Sequence, residues 1–94
     1  MSRSNDHWLS LETSASGDEA FLHANPAGLR LLAKVLERLA ERVEAGDFPH
    51  DHFFTEAWGS GDLAQTLHNS ENRLIHHLKV FGWPAKMGDA VDGT

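Results

Sequence analysis

Asn25-Pro-Ala-Gly-Leu-Arg-Leu-Leu-Ala-Lys-Val-Leu-Glu-Arg-Leu-Ala-Glu-Arg-Val-Glu-Ala-Gly46 is the stretch that decides the fold. Asn25 is a capping residue whose side chain can accept an orphan helix N–H, and Pro26 stands at the first helical position, where its missing donor costs nothing. Leu29, Leu32, Leu36, Leu39 and Val43 recur at spacings of three and four, joined by Val35 and Ala40. Arg30, Lys34, Glu37, Arg38, Glu41 and Arg42 fall mostly on the opposite side, so one stripe packs and the other is wet. Gly46 is the expected left-handed stop. The spacing predicts one helix over 26–45, about 30 Å long.

On either side of the helix the period changes from 3.6 to 2. Leu9 and Leu11 alternate with Ser10 and Glu12, as a half-buried strand requires, and Ser16-Gly17-Asp18 is a turn from which Glu19–Ala24 returns as the second strand of a hairpin. After the helix, His50–Thr55 reads as a third strand. Glu56–Asp62 is a loop, and Leu63–Leu67 fits either a short strand or a helical turn. Arg73–Trp83 is the last strand, with Leu74, His76, Leu78 and Val80 on one face and Ile75, His77, Lys79, Phe81 and Trp83 on the other. Because both faces are partly apolar, it belongs centrally in the sheet or under the helix. The predicted fold is α+β: an antiparallel sheet of four to five strands with one long helix packed on one face, in the order β-β-α-β-(β)-β. Its expected core is Leu9, Leu11, Leu29, Leu32, Val35, Leu36, Leu39, Val43, Leu78 and Val80.

At 94 residues the chain can bury one core and not two. The expected division is a disordered start over 1–7, a single domain over 8–84 and a flexible tail over 85–94. Eight basic against fourteen acidic side chains leave a net charge of −6, the wrong sign for a general nucleic-acid binder and a natural complement to a basic protein. Protonating all seven histidines raises that charge by seven, to +1, so the surface potential is sensitive to pH in the histidine range. With no cysteine there is no disulfide, thiolate nucleophile or Cys-type zinc site, which suits a reducing cytoplasm. Neither a signal-peptide pattern nor a membrane-length apolar run is present, so a cytoplasmic location is expected.

No catalytic constellation is legible. The chain has no G-x-S-x-G elbow and no serine or lysine set recognisably beside a histidine, and Gly59-Ser60-Gly61 lacks the remaining elements of a phosphate-binding loop. His50 and His52, two apart on a strand, share a face. With His76 or His77 they are the candidate metal ligands, although the pattern fits none of the zinc signatures and neighbouring histidines commonly hydrogen-bond or face solvent instead. No cofactor is expected. The stretch from Asp47 to Asp62 gathers four carboxylates, two histidines and Trp58, the composition of an anchoring ring inside a charged rim. Asp51, Glu56, Trp58 and Asp62 are therefore the candidate partner-binding residues, weighed against a loop in which Trp58 simply packs.

The order of landmarks is Asn25-Pro26-x-Gly28-Leu29-x-x-Leu32-Ala33, His50-Asp51-His52, Glu56-x-Trp58-Gly59, Leu74-Ile75-His76-His77-Leu78-Lys79-Val80 and Trp83-Pro84. Over about Ala20 to Pro84 this resembles the immunity protein 32 family of bacterial polymorphic toxin systems. The resemblance implies a small, non-enzymatic cytoplasmic protein that neutralises a cognate toxin domain by direct binding. Two other readings stay open: a His-based metal-binding protein, and a self-associating structural module, for which a homo-oligomer is the expectation.

Overall fold

The computed structural model describes residues 6–85. Residues 86–94 of the tail expected over 85–94, and residues 1–5 of the expected disordered start, lie outside them. The elements are β1 (Leu9–Thr13), β2 (Ala20–Ala24), α1 (Pro26–Glu44), β3 (His50–Phe54), β4 (Arg73–Leu74) and β5 (His77–Phe81). The α+β class, with a single long helix among the described residues, is as the sequence predicts. The strands, however, form two antiparallel sheets rather than one, a three-stranded sheet in the order β2-β1-β4 and a two-stranded sheet of β3 with β5.

The division has a local cause. The expected continuous strand over 73–83 breaks at Ile75-His76 and changes partner there. Before the break, Arg73 and Leu74 pair with Thr13 and Glu12 of β1, and Ile75 N–H donates to Leu11 O at 2.9 Å. After it, His77 to Phe81 pair with Phe54 to His50. His76 itself accepts from Thr55 N–H at 2.9 Å through its carbonyl, so the crossing point is tied to the end of β3.

Around α1 the capping chemistry is as the sequence requires. Asn25 Oδ1 accepts from Gly28 N–H at 2.8 Å and also from Trp8 N–H at 2.9 Å, so one side chain both starts the helix and holds the entry to β1. Gly46, at φ 98°, provides the left-handed stop. The buried helix residues are Gly28, Val35 and Leu39. Leu29 and Leu36, expected in the core, are 52% and 44% exposed. Each follows a buried position by one residue, and a step of about 100° around the axis carries it from the centre of the packed stripe to its flank.

The core is Leu9, Val35, Leu39, Phe53 and Leu63, with Leu11, Ala24, Leu32, Leu78 and Val80 packed against it. Leu63 comes from the ambiguous segment and is only 2% exposed. Leu63–Leu67 forms neither of the anticipated structures. Leu63 makes an isolated parallel bridge with Thr55, and its N–H donates to Phe54 O at 2.9 Å. Ala64 N–H then donates to Leu9 O at 2.7 Å, so this extended segment lies between the two sheets and bonds to both. No helix among the described residues is long and apolar enough to cross a membrane.

Candidate functional site

The Glu56–Asp62 loop is built around Thr55, whose side chain is fully buried. The Thr55 carbonyl accepts from Trp58 N–H at 3.0 Å and Gly59 N–H at 2.8 Å, closing a tight turn. Its hydroxyl is 2.7 Å from His76 Nδ1. The Trp58 ring stacks on that same imidazole, with centroids 5.2 Å apart and planes 7° from parallel, while the residue stays 62% exposed. Trp58 is thus neither simply packed nor simply free: one face of the ring is held, and the rest is presented to solvent. That is the pre-oriented state in which an aromatic side chain gives up little entropy on contact.

The other three candidate residues lie on two adjoining grooves that share Ser60. Asp51 and Asp62 line one, beside Leu31 and Val35, and Glu56 lines the next, beside Leu63 and Gln65. Ser60 Oγ donates to Asp62 Oδ2, and Asp51 Oδ1 accepts from His52 N–H at 2.8 Å. Among the described residues the one ion pair is Arg42 with Asp47, so the carboxylates of Asp51, Glu56 and Asp62 have no basic partner there. These carboxylates make the two grooves negative, and Trp58 belongs to the same loop as Glu56 and Asp62.

The four histidines singled out as candidate ligands separate into two environments. His76 is occupied by Thr55 and Trp58. His50, His52 and His77 lie with Phe54 and Phe81 on the face of the β3–β5 sheet opposite Phe53, in a row of rings. His52 and Phe54 stack at 5.6 Å, Phe54 and His77 at 4.3 Å, and His50 meets His52 edge-on at 5.0 Å. His52 Nδ1 and His77 Nε2 are 2.8 Å apart, so these two nitrogens bond to each other. Burial holds the His52 imidazole below its ordinary pKa, reinforced by His50, His77 and Lys79 and opposed by Asp51.

A third cluster was not legible in the sequence. Glu12 on β1 is fully buried. Its Oε1 accepts from Asn72 Nδ2 at 2.7 Å and its Oε2 from His68 N–H at 3.0 Å. These two hydrogen bonds, the Asn72 one foremost, lower the carboxyl pKa against the opposing effect of burial, with a further lowering from His23 and His68. Among the described residues, Glu12, His23 and His68 are the one group of three metal-ligating side chains with ligand atoms all within 4.8 Å of one another. His50, His52, His76 and His77 form no such group. The alternation of β1 sets Glu12 with Ser10 on the face opposite Leu9 and Leu11, so no sequence signal marked the triad.

A family model described as immunity protein 32 matches residues 19–79. The chain belongs to the immunity protein 32 family. No curated protein and no solved structure matches it. The immunity protein 32 match takes in β2, the helix, the acidic loop with Trp58, and most of β5, close to the extent of the resemblance in the sequence. It leaves β1, and with it Glu12, outside.

Proposed function

We propose that this immunity protein 32 family member neutralises a cognate toxin domain by binding it directly, without catalysis, through Asp51, Glu56, Trp58 and Asp62. The observation that carries the reading is the exposed Trp58 ring, fixed on His76 in a loop whose carboxylates have no basic partner among the described residues. An aromatic anchor with a charged surround is the arrangement in which a few residues carry most of the affinity, and the surrounding negative charge speeds encounter with a basic partner. The net charge of −6 supports a basic surface on the toxin side. Toxin and immunity protein meet in the cytoplasm on this reading, and the domain over 8–84 is sufficient for binding.

The test is binding of a candidate cognate toxin domain, measured with the parent chain and with Trp58→Ala and Glu56→Lys variants whose circular dichroism is unchanged. Each variant is expected to weaken the complex by at least about tenfold, the loss of one anchoring contact of about 1.4 kcal/mol. Association should slow between about 50 and 500 mM salt as the charges are screened. Unchanged affinity in both variants, together with salt-independent association, places the interface elsewhere.

A further inference from the structure

Trp8, Ser10 and Glu12 alternate onto one face of β1, opposite the face that carries Leu9 and Leu11 into the core. The hairpin register sets Ser10 across from His23 and Glu12 across from Phe21, so His23 is one diagonal step from Glu12 on the same face. The loop that follows Leu63 crosses this face. His68 N–H and Asn72 Nδ2 both donate to the Glu12 carboxylate. Trp8 packs edge-on against the His68 ring at 5.0 Å, and His68 comes to lie over His23 with centroids 4.0 Å apart. Three candidate ligands that are 11 and 45 residues apart in sequence are thereby brought together.

A cation at that point would add a full opposite charge to the two hydrogen bonds that hold the Glu12 carboxylate. Glu12 is fully buried, its two hydrogen-bond donors are neutral, and no lysine or arginine among the described residues pairs with it. An anion taken out of water is expensive unless an opposite charge accompanies it. The same face carries Ser10, whose hydroxyl is buried without a hydrogen-bond partner, directly across from His23. Orienting bonds to ligand side chains are the usual surroundings of a metal, and Asn72 and the His68 N–H already supply two of them to Glu12.

We propose that Glu12, His23 and His68 bind one zinc-class divalent cation, which clips the loop carrying His68 onto the β1–β2 hairpin. Two imidazoles with one carboxylate suit zinc, cobalt or nickel, whereas calcium and magnesium prefer oxygen ligands alone. Zinc bonds of about 2.0–2.2 Å place tetrahedral ligand atoms about 3.3–3.6 Å apart. The triad, at 4.8 Å or less, closes to that geometry through modest rotation of the exposed His68 ring. This site is independent of the toxin-binding surface.

The experiment is calorimetric titration of the tag-free chain with Zn²⁺, alongside Mg²⁺ and Ca²⁺, and a thermal melt with and without zinc. One equivalent of zinc binding more tightly than about 10 μM, a raised melting temperature and no response to magnesium or calcium are expected. His68→Ala, on an exposed position, should weaken binding by at least about 100-fold and abolish the thermal shift. Asn72→Ala should weaken it about 10–100-fold, as the loss of an orienting contact does. His50→Ala and His52→Ala should bind like the parent. A tetrahedral Co²⁺ absorption spectrum should be lost in His23→Gln and in His68→Ala. No zinc binding by the parent, or zinc binding that survives His68→Ala unchanged, overturns the proposal whether or not His23→Gln folds.

Discussion

Gly28 and Trp8 are in backbone contact: a Cβ on Gly28 would overlap the Trp8 carbonyl oxygen. That oxygen accepts from Asn25 N–H at 3.1 Å, so it cannot move aside without releasing the residue that caps the helix. Helix α1 therefore starts pressed against the beginning of β1, and the small residue at the third helical position is what permits it.

Gly28→Ala tests this directly. In a free helix the change would stabilise by about 1 kcal/mol. Here the overlap with a fixed backbone oxygen should outweigh that gain and leave a net loss of about 1–3 kcal/mol, read as a lower urea midpoint with an unchanged slope. A midpoint that rises would mean that helix and strand separate easily at this point.

Leu63 and Leu36 make an informative pair. Leu63→Ala should cost about 2–5 kcal/mol, because the residue fills the core between the sheets. Leu36→Ala should cost under about 1 kcal/mol, since the side chain lies on the flank of the helix. Equal costs in chemical denaturation would contradict the core as described.

The His52 imidazole is held below its ordinary value by burial and by His50, His77 and Lys79, with Asp51 opposing. Between its lowered folded value and the unfolded value of about 6.5, the unfolded chain takes up a proton that the folded chain refuses. The contribution is therefore complete above about pH 6.5 and is lost as the pH falls towards the folded value. His52→Gln should flatten the fall in stability between about pH 7.5 and 5.5 relative to the parent. An identical pH slope in the two proteins would show that His52 titrates normally.

Much of the fold was legible because its signals are local. Asn25 and Pro26 start a helix, and Gly46 ends it, by what each does to its own backbone. The alternation of Leu9-Ser10-Leu11-Glu12 and the Ser16-Gly17-Asp18 turn give a hairpin without reference to anything distant. The two faces read into the last strand are also the two faces observed, with Leu78 and Val80 packed on the core and His77, Lys79 and Phe81 turned away from it.

What the sequence could not contain was the pairing of segments. Nothing local in Leu74-Ile75-His76-His77 says that the strand leaves one sheet and joins another, because both halves carry the same alternating pattern and only the available partners differ. Leu63 is missing from the expected core because a single leucine among Gly, Asp, Ala and Gln has no period, and its burial depends on two sheets closing over it. The sequence by itself determined the elements, the acidic loop with Trp58 and the sign of the charge, all properties of residues near one another in the chain. Only the tertiary structure decided that Glu12, His23 and His68 would meet, since a cluster drawn from a hairpin and a distant loop exists only once long-range hydrogen bonds have fixed the loop across the strands.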